Sequence, residues 1–399
     1  MKHKKIMILG ASILQLPAIE KAKEMGLSVV AVDMNPEAVG FHVPGIEREV
    51  ISTIDIPKVL EAAKKHNIDG IMTLASDMPM RTVAAVSKEL GLVGITEDTA
   101  VKATNKAAMR KALQDAGVPV PRFFRVANEE EFTAAVRKMT GAFMVKPADN
   151  SGSRGIIKVP AAATEEEQVN AYTYSQENSR SGDVVVEEYM EGPEVSVETL
   201  TVDGVCHVIQ ITDKITTGAP YFVEMGHTQP TAHSPEIAEK IRQVAIAANR
   251  AVGITNGPSH TEIIVTKEGP KIVELGARLG GDCITTHLTP LSTGVDMVRC
   301  CIAIALGEKS DLTAKFSKGS AIRYFKQTPG VVKAIEGIEE AEKMPGVKQV
   351  SIVHGVGETV GIINSSAARM GFVIAQGDDR QNAIDLCEKA VGTIKITIL

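Results

Sequence analysis

Apolar residues in the first hundred positions fall into short runs separated by amphipathic stretches. Segments 6–9, 28–32 and 70–74 read as buried strands, the second ending at Asp33, and segments 16–25, 57–66 and 80–90 carry apolar positions at helical spacing. Strands buried on both faces and alternating with helices predict a parallel sheet covered on both sides, an α/β arrangement. Thr104-Asn105-Lys106 then opens a basic helix, and Gly117-Val118-Pro119-Val120-Pro121 turns the chain into a new region. A small, strand-rich section follows to about Glu191. Segment 237–252 is an amphipathic helix, 290–306 is a second, and beyond about Lys315 a β-rich tail ends in a helix near 381–391. The expected organisation is three modules, 1–103, 104–314 and 315–399, with no internal repeat.

A chain of 399 residues has room for two or three domains, and 44% apolar with 23% charged residues is ordinary globular composition. A net charge of −6 without a basic block argues against a nucleic-acid partner. Lys2 to Lys5 followed by an apolar run has the look of a leader, but Gly10, Gln15 and Pro17 interrupt it and no small-residue cleavage site follows. No window approaches the roughly 18 apolar residues of a membrane span, so the expectation is a cytoplasmic protein with no membrane partner. Five cysteines, odd in number and without Cys-x-x-Cys spacing, suggest reduced, mostly buried thiols.

The densest chemistry lies in a predicted hairpin. Strands at 263–265 and 272–273 flank Lys267-Glu268-Gly269, read as a three-residue loop with glycine in the left-handed position. Centring the turn on Glu268 sets Glu262 opposite Glu274, and Arg278 follows in Gly-Ala-Arg-Leu-Gly-Gly. Facing carboxylates repel unless a divalent cation lies between them, and Mg²⁺ is held by one or two carboxylates plus substrate phosphates. An acidic hairpin alone is commonly a solvated surface, so the reading needs an independent nucleotide signal.

Two segments supply one. Lys146 ends a strand, and Asn150-Ser151-Gly152-Ser153-Arg154-Gly155 follows before another. Such a loop of small residues exposes backbone N–H groups to polyphosphate, although no Gly-Lys-Ser/Thr opens a helix as in a P-loop. Residues 184–186 form a buried strand running into Glu187-Glu188-Tyr189-Met190-Glu191-Gly192-Pro193-Glu194. Its acids and backbone offer acceptors to an amino-purine edge, and Glu194 offers one to ribose hydroxyls. Gly10-Ala11-Ser12 keeps one glycine of G-x-G-x-x-G, which disfavours a dinucleotide dehydrogenase. Asp33 suits either a ribose or a turn cap, while Ser76 and Asp77, beyond a strand end, are candidates for an acceptor-substrate wall.

In that order along the chain, these motifs resemble the ATP-grasp superfamily from about residue 1 to the end. The resemblance implies an ATP-grasp fold, α/β and α+β. It would comprise a Rossmann-like N-terminal domain (1–103), an ATP-grasp domain (104–314) with a lid at about 122–190, and a C-terminal β-rich module. It further implies that Lys106 and Lys146 contact the α- and β-phosphates and that 151–155 (Ser151, Gly152, Ser153, Gly155) cover them. Glu187, Glu188 and the Tyr189 backbone would face adenine, Glu194 the ribose, and Glu262 and Glu274 would hold Mg²⁺ (or Mn²⁺). Arg278 would stabilise the charge on the γ-phosphate as it moves to a carboxylate. Many members carry Asn two residues after the second metal glutamate, where this chain has Gly276. Lacking a side-chain oxygen there, a second metal ion would borrow water or phosphate oxygens.

The implied chemistry is ATP-driven formation of an acyl-phosphate, then displacement of phosphate by an amine. Glu224-Met225-Gly226-His227-Thr228-Gln229-Pro230 and Pro258-Ser259-His260-Thr261-Glu262 are similar to the branch of bacterial L-amino-acid ligases. By that likeness Glu224 would bind an α-ammonium group and His227 would orient or deprotonate the amine. His260 would lie beside the metal, and Arg278 with Gly280 and Gly281 would bind the substrate carboxylate. The same elements resemble bicarbonate-activating carboxylases, carbamoyl-phosphate-type enzymes and purine-pathway ligases, and a non-catalytic ATP-binding homologue is a further alternative. A homodimer is possible by resemblance.

Overall fold

The computed structural model describes residues 4–150, 152 and 154–399. Strands β1 (Lys5–Leu9), β2 (Ser28–Asp33), β3 (Glu47–Val50) and β4 (Gly70–Thr73) form a parallel sheet in the order β3-β2-β1-β4. Helices Leu16–Glu24 and Ile56–His66 connect them and Met80–Leu90 follows β4, as the hydrophobic pattern predicts. β3 was not expected, because Glu-Arg-Glu-Val is an exposed edge strand with no apolar run to mark it.

The expected strand-rich section is an α+β unit. β5 (Phe123–Val126), β6 (Phe143–Pro147), β7 (Ile157–Val159) and β8 (Val184–Glu188) pair antiparallel in the order β5-β8-β6-β7. Helices Glu129–Val136 and Glu165–Glu177 cover them. The second helix has almost no apolar stripe, burying Ala171, Tyr172 and Ser175. Its local signal is a capping box in which Thr164 and Glu167 satisfy each other's backbone N–H groups.

The centre is built from β9 (Glu194–Val202), β10 (Val205–Thr216), β11 (Glu224–Gln229), β12 (Gly257–Thr266), β13 (Gly269–Gly276) and β14 (Gly319–Tyr324). The tail adds β15 (Gly330–Glu336), β16 (Val347–Ile352), β17 (Thr359–Val360), β18 (Gly371–Gly377) and β19 (Lys395–Ile398). Three late strands complete one eight-stranded antiparallel sheet, β13-β12-β9-β10-β11-β14-β18-β16, so a boundary near residue 315 runs through a continuous sheet. Helix Pro235–Val252 lays Ala238, Ile241, Ala245, Ala248 and Val252 against this sheet, in the same core as Met7, Leu9 and Val30 of the parallel sheet. The single helix expected at 290–306 is interrupted. Gly294 takes a left-handed φ of +78° after Thr289–Thr293, and Asp296 caps a new helix, Met297–Ala305, by accepting from the Arg299 N–H.

Candidate functional site

The β12–β13 hairpin sets Glu262 directly opposite Glu274, the pairing the sequence suggested, by a different route. The turn is one residue tighter than expected: Thr266 pairs with Gly269, whose φ is +121°, leaving two residues in the loop. A bulge between Glu262 and Ile263, with Val273 as the extra residue, restores the alignment. Ile263 and Ile272 point into the core while the two glutamates share the opposite face.

Both lysines expected at phosphates are buried and tied to acids. Asn105 caps helix Lys106–Asp115, and Lys106 Nζ lies 2.9 Å from Glu274 Oε1 and 2.8 Å from the Asn150 carbonyl. Lys146, at the end of β6, lies 2.6 Å from Glu187 Oε1. Arg110 stands one helical turn from Lys106 and donates through Nε and Nη2 to Glu187 Oε2, at 2.9 and 2.6 Å. Burial alone would raise the Glu187 carboxyl; Arg110 and Lys146 outweigh it and lower the pKa to about 2. Glu187 thus faces two cations, not open solvent. The i,i+4 spacing of Lys106 and Arg110 was a signal that pointed to the second cation.

Gly152 and Gly155 adopt left-handed φ of +68° and +77°, and a Cβ on Gly155 would lie 2.6 Å from both Pro147 and Asn178. Ser151 and Ser153 lie outside the described residues. The Glu188 backbone N–H donates to the Arg122 carbonyl and that of Tyr189 to the Ala142 carbonyl, while Lys158 lies over the Tyr189 ring at 3.5 Å.

Lys214 was missed by the sequence reading, though a lysine inside a strand is a signal in itself. Its side chain is 4% exposed, and Nζ lies 2.5 Å from Glu194, 2.8 Å from Glu262 and 3.6 Å from Glu224. Burial opposes its charge, but the three acids hold its pKa well above the usual lysine range. One lysine cannot neutralise three acids. Despite burial, Glu262 is held well below the normal range by Lys214 and by His260, whereas burial raises Glu194.

His260 pairs through Nδ1 with the fully buried Glu198 at 2.5 Å, and its Nε2 lies 3.6 Å from Glu262. Burial lowers the imidazole pKa, Glu198 raises it, and the balance is about 9, so His260 is an imidazolium at neutral pH. A Cβ on Gly280 would lie 2.6 Å from His260 Nδ1, and Gly281 stands beside Ala75. His227 is 1% exposed; its Nε2 lies 3.3 Å from Asp282, and its Nδ1 has no hydrogen-bond partner among the described residues. Asp282 is gripped by Arg369 from the tail through two contacts of 2.8 Å. Arg278 is tied to Asp77, Nε to Oδ1 at 2.8 Å and Nη2 to Oδ2 at 3.3 Å. Asp33 accepts from the backbone N–H groups of Ala11 and Asn35, which is the turn-cap alternative.

This donor set fits a metal-bound nucleotide. Two directly opposed carboxylates, each already beside a lysine, could share a cation, two buried lysines could exchange their acids for phosphate, and Arg110 Nη1 is buried without a partner among the described residues. Glu262 and Glu274 are the residues that would hold Mg²⁺, as an opposed pair. No group of three or more His, Cys, Asp or Glu side chains among the described residues is arranged to hold a metal ion. No helix among the described residues is long and apolar enough to cross a membrane.

Comparison with known proteins agrees with this geometry. The ATP-grasp domain family matches residues 139–286, and L-amino acid ligase C-terminal domain 2 matches 323–398. An uncharacterized protein of Sinorhizobium fredii is 28% identical over 84% of this chain and 69% of its own length. The L-arginine-specific L-amino acid ligase of Bacillus subtilis is 26% identical over 83% of this chain and 81% of its own. The crystal structure of L-amino acid ligase from Bacillus licheniformis superposes with a TM-score of 0.86 over 100% of both chains at 22% identity, a likeness that establishes the fold. Residues 139–286 are thus similar to the ATP-grasp domain and residues 323–398 to L-amino acid ligase C-terminal domain 2, on a chain with the fold of a known L-amino acid ligase.

Proposed function

We propose that the protein is an ATP- and Mg²⁺-dependent carboxylate–amine ligase that joins amino acids or similar small molecules. The observation that carries this reading is the opposed Glu262–Glu274 pair with Lys106 on Glu274 and Lys214 on Glu262, beside the further cations Lys146 on Glu187 and Arg278 on Asp77. Phosphoryl transfer depends on positioning and charge neutralisation, which these residues provide. Mg²⁺, when bound, neutralises phosphate charge and aligns the transferring group. Lys106 and Lys146 exchange their acid partners for phosphate oxygens, and Lys214 supplies a fixed positive charge beside Glu262. A substrate carboxylate oxygen attacks the γ-phosphorus and ADP leaves; the amine nitrogen then attacks the acyl carbon, phosphate leaves, and the amine loses its proton. Arg278 stabilises charge in the first step. Glu224, a quarter exposed, offers its carboxylate to an ammonium group, with His227 three residues further along the same strand.

The amine-ligase reading is favoured over a ribotide substrate by the crevice at the carboxyl ends of β1, β2 and β4. Segments 10–17 and 33–40 contain no lysine or arginine, and Arg81, which follows segment 75–80, donates to the Thr104 hydroxyl, which disfavours a ribotide phosphate there. A panel of amino-acid pairs, bicarbonate and formate, each assayed for substrate-dependent ADP and phosphate release, tests the proposal. Release with an amino-acid pair, abolished in Glu274→Gln without loss of folding, is expected. Release with bicarbonate and with no amino-acid pair would overturn it.

A further inference from the structure

Position 276 is glycine for a reason that lies in another part of the chain. A Cβ built on Gly276 would stand 2.6 Å from Asp77 Oδ1, and 3.2 and 3.3 Å from Arg278 Nε and Cζ. The Asp77 carboxylate therefore occupies the space that any side chain at 276 would need. Asp77 reaches that space from the parallel sheet, 201 residues away in sequence, and both of its oxygens contact the Arg278 guanidinium.

The backbone is shaped to deliver it. Leu74, just past β4, forms a parallel bridge with Leu279, and the Ala75 N–H donates to the Leu279 carbonyl at 3.2 Å. Ala75 then takes φ +56°, a left-handed conformation that is unfavourable for a non-glycine residue and is retained where surrounding structure enforces it. That kink turns the following residues toward Arg278. An arginine has four side-chain torsions, and a two-point contact fixes the plane of its fork as a single contact cannot.

We propose that Asp77 is the positioning residue for Arg278: it holds the guanidinium plane from the N-terminal sheet, and Gly276 is glycine to admit it. Asp77 is then a determinant of γ-phosphate recognition and not merely a wall for the acceptor. The inference rests on the role given to Arg278 in the proposed function.

Affinities for ADP and for the non-hydrolysable imido analogue of ATP, measured by calorimetry with Mg²⁺, test it without any acceptor substrate. Asp77→Ala and Arg278→Ala should each weaken the analogue about tenfold or more, the scale of one lost charged hydrogen bond, with ADP changed less than about twofold. The double variant should be no worse than Arg278→Ala alone. Asp77→Asn keeps the shape without the charge and should fall between wild type and Asp77→Ala, which guards against an effect of misfolding. Gly276→Ala should lower the melting temperature of the wild type and cost nothing more in the Asp77→Ala background. The proposal is overturned if Asp77→Ala keeps the wild-type analogue-to-ADP ratio, if only its melting temperature changes, or if Gly276→Ala is silent in both assays. A wild type with no preference for the analogue overturns it as well. Absence of ADP release with every carboxylate and amine, together with an Asp77-sensitive ratio, would sink the ligase reading and leave this one standing.

Discussion

Glu187 shows how a single side chain changes meaning once its neighbours are known. In the sequence it is one of two acids at a strand end; in the fold it is 1% exposed and binds Arg110 on one oxygen and Lys146 on the other. Removing one member of such a buried group leaves the others uncompensated, at a cost of about 3–5 kcal/mol. The pH dependence has a definite sign. The folded pKa, about 2, lies below the usual 4.5, so Glu187 stabilises the fold fully above about pH 4.5 and loses that contribution as pH falls toward 2. Glu187→Gln should therefore be strongly destabilised at pH 7, and its deficit against wild type should shrink between pH 4.5 and 2 in denaturant melts. A deficit constant across that range would contradict the assignment. Lys214 teaches the complementary lesson: its three acids come from β9, β11 and β12, and no local pattern links them.

At the scale of elements, the hairpin that carries Glu262 and Glu274 was legible because the apolar runs 263–265 and 272–273 flank the turn residues Lys267-Glu268-Gly269. Its turn length and bulge were not, since adding one residue to the loop or one to a strand moves Glu274 equally. The helices over the β5–β8 sheet escaped for another reason: Glu165–Glu177 is stabilised by its cap more than by an apolar stripe. The β8–β9 connection gives the sharpest test at this scale. Gly192 has φ +149°, and a Cβ there would lie 2.1 Å from the Val265 carbonyl oxygen on β12, a backbone atom that cannot swing aside. Gly192→Ala should cost about 1–3 kcal/mol in thermal or denaturant melts. It should also weaken nucleotide binding, because the turn delivers Glu194 to Lys214. An unchanged melt would show that the turn relaxes freely.

For the whole molecule, the distribution of core determines what moves together. Met7, Leu9 and Val30 of the parallel sheet share one buried cluster with Val195, Ile263, Ile272 and Leu275 of the central sheet, whereas Phe132, Val145, Tyr172 and Val186 form a separate cluster under the β5–β8 sheet. Hydrogen exchange should accordingly show β1 and β9 opening together at the global stability and β6 and β8 opening at a lower free energy, with Mg²⁺ and ATP narrowing the gap. Equal protection throughout without nucleotide would count against a separable lid. The sequence alone determined the alternating parallel sheet and the order of the motifs, because each depends on local periodicity, and it suggested the opposition of Glu262 to Glu274, which the folded register reached through a tighter turn and a bulge. Tertiary structure alone decided that Glu187 pairs with Arg110, that Lys214 gathers three acids, that late strands complete the central sheet and that Asp77 fills the space beside Gly276. Those contacts join residues tens to hundreds of positions apart, and a charge has no readable partner until folding brings one within a few ångströms and excludes the water between them.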